Sequence, residues 1–210
     1  MDFDRRGYLS LGVEKTDMQT RYLQQLNDEG LALRAMRGDL TAYSVLAARY
    51  RGAVLLIAEE ALGSRANAED VAQEVFLVVF QSLARLREPA KFASWLYAIT
   101  RFRARRAFRQ TQRYATREPE SLNGLMDSEE SQPEKALLRA ERDSEIMGAV
   151  ERLKSEWRVV FLLRYQEEWS ISQIAGFLAL PITTVNWRLH QARKRLLQQL
   201  KTDERESDHE

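Results

Sequence analysis

SISQIAGFLALPITTVNWRLHQARKRLL, residues 170–197, reads as two helices and a break. Ser170 can offer its side-chain oxygen to the free N–H groups of a short helix running from Ile171 to Leu178. Ala179-Leu180-Pro181 interrupts the pattern, because proline removes a donor and disfavours helix in the residue before it. A second helix then runs from about Ile182 to Leu200. Ile174, Ala175 and Leu178 supply the inner face of the first helix. Val185 and Leu189 are spaced to pack the second helix onto it, and Ala175 is small where the two would cross. A short helix, a tight turn and a longer basic helix form a helix-turn-helix.

The outward face of the second helix carries Thr183, Thr184, Asn186, Trp187, Arg188, His190 and Arg193. The first of these lie at the amino end, the part of such a helix that enters a major groove. Asparagine can read adenine and arginine guanine, and threonines at a helix start can hold phosphate. Arg193, Lys194, Arg195 and Lys201 add cations. The competing reading of the segment is a helical hairpin with a basic solvated face, Trp187 packing on its neighbours.

Working outward, charge is segregated although the net formal charge is only +1. No acidic residue lies between Glu168 and Asp203, and none between Glu88 and Glu118, a stretch holding Lys91 and seven arginines. Acid collects between them, at Glu118, Glu120, Asp127, Glu129, Glu130 and Glu134, and again after residue 202. Two basic blocks around an acidic one suggest two contacts with a polyanion. In the first block Trp95, Tyr97, Phe102 and Phe108 alternate with arginines, as single-stranded bases require of rings and phosphates of cations. Phe92, Trp95, Leu96 and Ile99 form that helix's core stripe, which leaves Tyr97, Phe102, Arg101, Arg105, Arg106 and Arg109 as the interesting set.

The rest of the chain reads as helix too. Helical pattern covers about 28–36 and 41–62, the latter stopped by Gly63. A third helix starts at an Asn67 cap and turns Asp70, Gln73, Glu74 and Leu77 away from its apolar stripe. A fourth begins near Lys91 or Phe92. Pro119, Asn123-Gly124 and Pro133 mark a linker. The expected fold is all-α: two small helical domains at 27–112 and 135–200, joined by an acidic linker at 113–134, with an extension at 1–26 and an acidic tail at 201–210. The composition, 44% apolar and 30% charged, is that of a globular protein. No uninterrupted apolar run reaches the roughly 18 residues of a membrane span, and residues 1–10 lack the apolar core of a secretory signal. With no cysteine and only His190 and His209, thiolate and histidine-rich metal sites are excluded. The chain has no Glu-x-x-His, P-loop or nucleophile elbow. The expectation is a cytoplasmic protein that is not an enzyme, with no metal, cofactor, small-molecule substrate or stable membrane insertion.

The order of the parts resembles a family. Ala68-Glu69-Asp70-Val71-Ala72-Gln73-Glu74-Val75-Phe76, then Phe92, Trp95-Leu96 and Ile99, resembles the sigma-two pattern of extracytoplasmic-function sigma factors. Val160-Phe161-Leu162-Leu163-Arg164-Tyr165, Ile174-Ala175, Leu180-Pro181, Thr184-Val185 and Arg188-Leu189 resemble its sigma-four pattern. The resemblance implies a subunit that binds core RNA polymerase through Asp70, Gln73, Glu74 and Leu77. It implies that Tyr97, Arg101, Phe102, Arg105, Arg106 and Arg109 bind and open the minus-ten element of promoter DNA. The helix from Ile182, with the seven residues named above, would read the minus-thirty-five element. An anti-sigma factor is implied as a further partner. Phe102 stands where the family commonly has asparagine, Arg106 where it has aspartate, Thr183 where it has glycine, Asn186 where it has lysine and Lys154 where it has proline, so the resemblance implies non-standard promoter sequences. A DNA-binding regulator that ignores polymerase is the second reading, but such proteins carry a βα-patterned domain in front, which is missing. A helical carboxylate-bridged metal enzyme is the third.

Overall fold

The computed structural model describes residues 19–115 and 146–207. Most of the 1–26 extension, nearly all of the linker and the last residues of the tail lie outside that description. Among the described residues the architecture is helical throughout: α1 Asp28–Met36, α2 Leu40–Leu62, α3 Arg65–Ser82, α4 Phe92–Ala115, α5 Ser155–Tyr165, α6 Ile171–Leu178 and α7 Ile182–Ser207. Residues 19–25 and 146–151 are helical as well.

Local chemistry sets the boundaries. Asn27 caps α1, its Oδ1 accepting from Gly30 N at 2.9 Å, and Asp39 caps α2 through Ala42 N at 3.0 Å. Gly63 ends α2 in the left-handed region at φ 65°, where a side chain is strained and glycine is not. Ser64, extended, caps α3 directly afterwards. The helix therefore starts two residues before the Asn67 cap expected from sequence. The left-handed glycine lets the chain turn and restart at once, and Asn67 becomes the residue whose N–H the Ser64 hydroxyl takes. A 3₁₀ turn at Pro89–Lys91 leads into α4, which continues to Ala115.

α2 is the central strut, packed by α1, α3 and α4. By length and composition alone it could pass for a membrane span. Here Leu46, Ala53, Val54 and Ala58 are fully buried among protein neighbours, and its polar residues work locally. Arg49 pairs with Asp28 and donates to the carbonyls of Gln24 and Leu26. Tyr50 donates to the other Asp28 oxygen. Burial, and then the Asp28 carboxylate, push the Tyr50 hydroxyl far above its ordinary pKa.

The carboxyl-terminal elements do not stand apart. The largest buried cluster runs through both halves of the chain, from Leu23 to Leu189. Tyr50 of α2 meets Trp169 edge-on at 5.4 Å and Phe177 of α6 at 5.8 Å, while Tyr97 of α4 lies 5.3 Å from Phe177. Arg164 donates to the Trp169 carbonyl at 2.8 Å, fixing the loop that delivers that ring. Arg158 of α5 grips Glu60 of α2 with two hydrogen bonds, 2.6 and 2.5 Å. Glu167 comes so close to α2 at Gly52 that a Cβ there would stand 1.9 Å from its carboxylate. A second, smaller cluster holds Ala149, Val150, Leu153, Ala192 and Leu196.

Candidate nucleic-acid interface

The helix-turn-helix forms as the sequence predicts. Ser170 and Gln173 make a reciprocal capping box at the start of α6, Ser170 Oγ accepting from Gln173 N and Gln173 Oε1 from Ser170 N. Ala179 makes the turn in the left-handed region at φ 54°. Ile174, Ala175, Leu178, Val185 and Leu189 are buried between α6 and α7.

On α7 the expected contact residues divide. Thr183, Asn186, Trp187, His190 and Arg193 are exposed, and Thr184 is half-buried. Arg188 is not free: it is only 21% exposed and its Nη2 lies 3.0 Å from Glu156 of α5. Trp187 answers both of its sequence readings, since its ring is half-exposed yet meets Trp157 edge-on at 6.3 Å. Arg193 donates its Nε–H to Tyr165 Oη at 2.7 Å.

On α4 the residues left over by the core stripe form one face. Arg101, Arg105 and Arg109 recur every four residues, with Phe102 and Arg106 beside them. All five are exposed, Phe102 by 63%. Among the described residues none of these four arginines forms an ion pair. They line a groove of about 1000 Å³ together with Tyr97 and, from the helix-turn-helix, Leu178, Ala179 and Leu180. Among the described residues no acidic side chain lines it, so these residues concentrate positive potential beside apolar surface. Tyr97 is half-buried, because its ring packs on Phe177. Arg103, outside the expected set, turns the other way and pairs with Glu74 of α3 at 2.5 Å.

Asp70, Gln73, Glu74 and Leu77 emerge together on the outer face of α3. Leu77 is 57% exposed and Phe80, one turn on, 47%. An apolar pair bare among acids and amides is a surface able to receive another protein. Behind it Tyr43 donates to the Phe76 carbonyl and lies 5.1 Å from the Phe80 ring. Partial burial pushes the Tyr43 hydroxyl up to about 12.

The sequence matches the Sigma-70 region 2 model over residues 46–114 and the Sigma-70 region 4 model over residues 143–196. It is 30% identical over 181 residues to the RNA polymerase sigma-H factor of Pseudomonas aeruginosa, covering 82% of this chain and 93% of that one. The chain belongs to the sigma-70 family, in its extracytoplasmic-function group. The ECF RNA polymerase sigma factor SigW of Bacillus subtilis is 28% identical over 174 residues, with 79% and 92% of the two chains covered. In fold the chain is similar to the sigma factor RpoE of Bartonella quintana, solved in complex with the anti-sigma factor NepR. That likeness has a TM-score of 0.51 at 20% identity and covers 73% of this chain and 92% of that one. A sigma factor binds core RNA polymerase and directs promoter-specific initiation; in this chain the region 2 match runs from within α2 to the end of α4, and the region 4 match takes in α5, α6 and most of α7.

Sequence reasoning missed the residues that hold these faces. Glu60, Glu156 and Trp157 stand in no motif, and Tyr165 stands only at the end of the run that resembles the sigma-four pattern. No local signal pairs them with Arg188, Trp187, Arg193 and Arg158, because each contact joins positions far apart in sequence.

Proposed function

We propose that initiation is divided among three faces of this sigma factor. Asp70, Gln73, Glu74 and Leu77 dock on core polymerase. Tyr97, Arg101, Phe102, Arg105, Arg106 and Arg109 bind the minus-ten element and stabilise its opened strand. Thr183, Thr184, Asn186, Trp187, His190 and Arg193 meet the minus-thirty-five element, with Arg188 beside them in its pair with Glu156. The observation that carries the reading is the α4 face: among the described residues, four arginines without ion pairs around an exposed phenylalanine, in a groove lined by no acid. Rings stack on unpaired bases while guanidinium groups hold the phosphates. The two DNA-reading units are taken as residues 27–112 and 135–200. Tethering makes two weak contacts act as one strong one, and binding weakens steeply with salt because each cation displaces counterions.

The protein performs no chemistry of its own and works in the cytoplasm. An anti-sigma factor holds it inactive, a reading supported by the inhibitor complex of the Bartonella quintana relative. Run-off transcription with purified core enzyme is the test. The wild-type chain directs a promoter-specific transcript, and the double variant Asp70→Lys, Glu74→Lys loses it together with core affinity while DNA binding persists. If the double variant binds core normally, α3 is not the docking face. If wild-type holoenzyme yields no specific transcript from any promoter fragment in a genomic library, the initiation reading fails.

A further inference from the structure

Three of the seven α7 residues assigned to DNA touch side chains of one neighbouring helix. Trp157 meets Trp187, Glu156 pairs with Arg188, and Tyr165 accepts from Arg193. Glu156 and Tyr165 are themselves about half-exposed, so these contacts are surface couplings rather than core packing.

The two arginines are held by opposite chemistry. Arg188 meets a carboxylate, which cancels its charge, and its Nε is buried without a hydrogen-bond partner. Arg193 meets a neutral hydroxyl, which leaves its charge intact. Its guanidinium carbon lies 5.7 Å from the Tyr165 ring centre, and the ring is backed by Phe161 at 4.5 Å. The hydroxyl occupies Nε, so the terminal fork of Nη1 and Nη2 has no partner among the described residues. That fork matches a phosphate or carboxylate through two parallel hydrogen bonds. A side chain already fixed loses less freedom when it binds. Arg193 lies about 16 Å along α7 from Ile182, at 1.5 Å per residue. Base edges are read from the amino end of such a helix, which makes backbone phosphate the target of Arg193.

We propose that α5 decides which cations of the reader helix are offered to DNA: Tyr165 positions Arg193 as a phosphate clamp, and Glu156 withholds Arg188. The proposal rests on α7 being the DNA-contacting helix, as proposed above.

The test uses the full chain and a 30-base-pair duplex of random sequence, because phosphate contacts need no cognate site. Affinity is measured by fluorescence anisotropy across salt concentrations, with thermal unfolding of each variant alongside. Arg193→Ala lowers affinity and flattens the slope of log K against log salt by about 0.9, the value of one phosphate contact. Tyr165→Phe keeps the ring and loses the acceptor; it weakens binding about five-fold, one hydrogen bond's worth, with the slope kept. It has no effect on affinity in the Arg193→Ala background. Glu156→Gln goes the other way, tightening binding and steepening the slope, and this gain disappears with Arg188→Ala. A gain that survives Arg188→Ala is a general charge effect and overturns the withholding role. A Tyr165→Phe loss that persists without Arg193 is structural and overturns the positioning role. If Arg193→Ala itself changes nothing, the reading of α7 as a DNA contact fails first, and the two failures are thereby distinguished.

Discussion

Replacing Arg158 by alanine should let the two halves of this sigma factor separate. The minus-ten and minus-thirty-five elements lie roughly 25 base pairs apart, about 85 Å of duplex at 3.4 Å per pair. In the described arrangement α6 packs directly on α4, and α4 with its 24 residues is only about 36 Å long. One promoter cannot be read at both ends until the halves part. Two devices resist that step: the Tyr50–Trp169–Phe177–Tyr97 rings and the Arg158–Glu60 pair. The pair is two-pronged, and its side chains are only 24% and 13% exposed. The grip of Glu60 raises the Arg158 pKa further, so the cation stays fully charged. Hydrogen bonds to charged groups contribute about 1.5–3 kcal/mol. Removing one partner of a well-buried pair costs more, about 3–5 kcal/mol. Partial exposure places this pair near the lower range, about 2 kcal/mol, or roughly thirty-fold in the ratio of packed to separated molecules. The chain contains no cysteine, so cysteines at exposed Ala66 and Lys194 can carry spin labels without background. Their distance distribution should gain a long component in Arg158→Ala. It should shift part of the way back when Glu60→Gln removes the stranded carboxylate. An unchanged distribution in Arg158→Ala would refute the reasoning and leave the apolar packing between the halves as the clasp.

Three further outcomes are expected. Tyr43 titrates higher in the folded chain, at about 12, than its ordinary 10.0; a raised folded value means its contribution is complete below pH 10 and is lost as pH rises toward 12. Alkaline unfolding followed by circular dichroism should therefore begin at higher pH in Tyr43→Phe. Lys154 stands at the start of α5 with no side-chain cap, so Lys154→Ser should add about 0.5–1 kcal/mol in urea unfolding. Ala179 holds a left-handed turn, and Ala179→Gly should raise stability by about 0.5–1 kcal/mol once glycine's greater unfolded freedom is set against the relieved strain, read from the thermal midpoint.

What could be read beforehand followed the range of the forces. Helix ends at Gly63 and Ser170 are decided within four residues, and the sequence shows them. The apolar stripes of α3 and α4 are periodic, so the outward residues Asp70, Gln73, Glu74, Leu77, Arg101, Phe102 and Arg105 follow from spacing alone, and all are exposed. The Asn67 cap was misplaced because serine and asparagine compete for that role and the backbone of Gly63 decides between them. The joining of the halves was not legible at all. Trp169 and Phe177 look like core residues of a small domain, and nothing nearby in sequence says that Tyr50, more than a hundred residues earlier, completes their cluster. The pairing of Arg188 is hidden for the same reason: its anion is 32 residues away.

The pair between Glu74 and Arg103 joins the helix proposed to dock on polymerase to the helix proposed to bind the promoter. A carboxylate has one strongest partner at a time. On the docking proposed for Glu74, a polymerase cation that took this carboxylate would uncover Arg103 and leave α4 one unit more positive. Its attraction for phosphate would then depend on company, weaker in the solitary chain than in the assembled one. Under that proposal a single side-chain exchange would favour one order of events, polymerase first and DNA second.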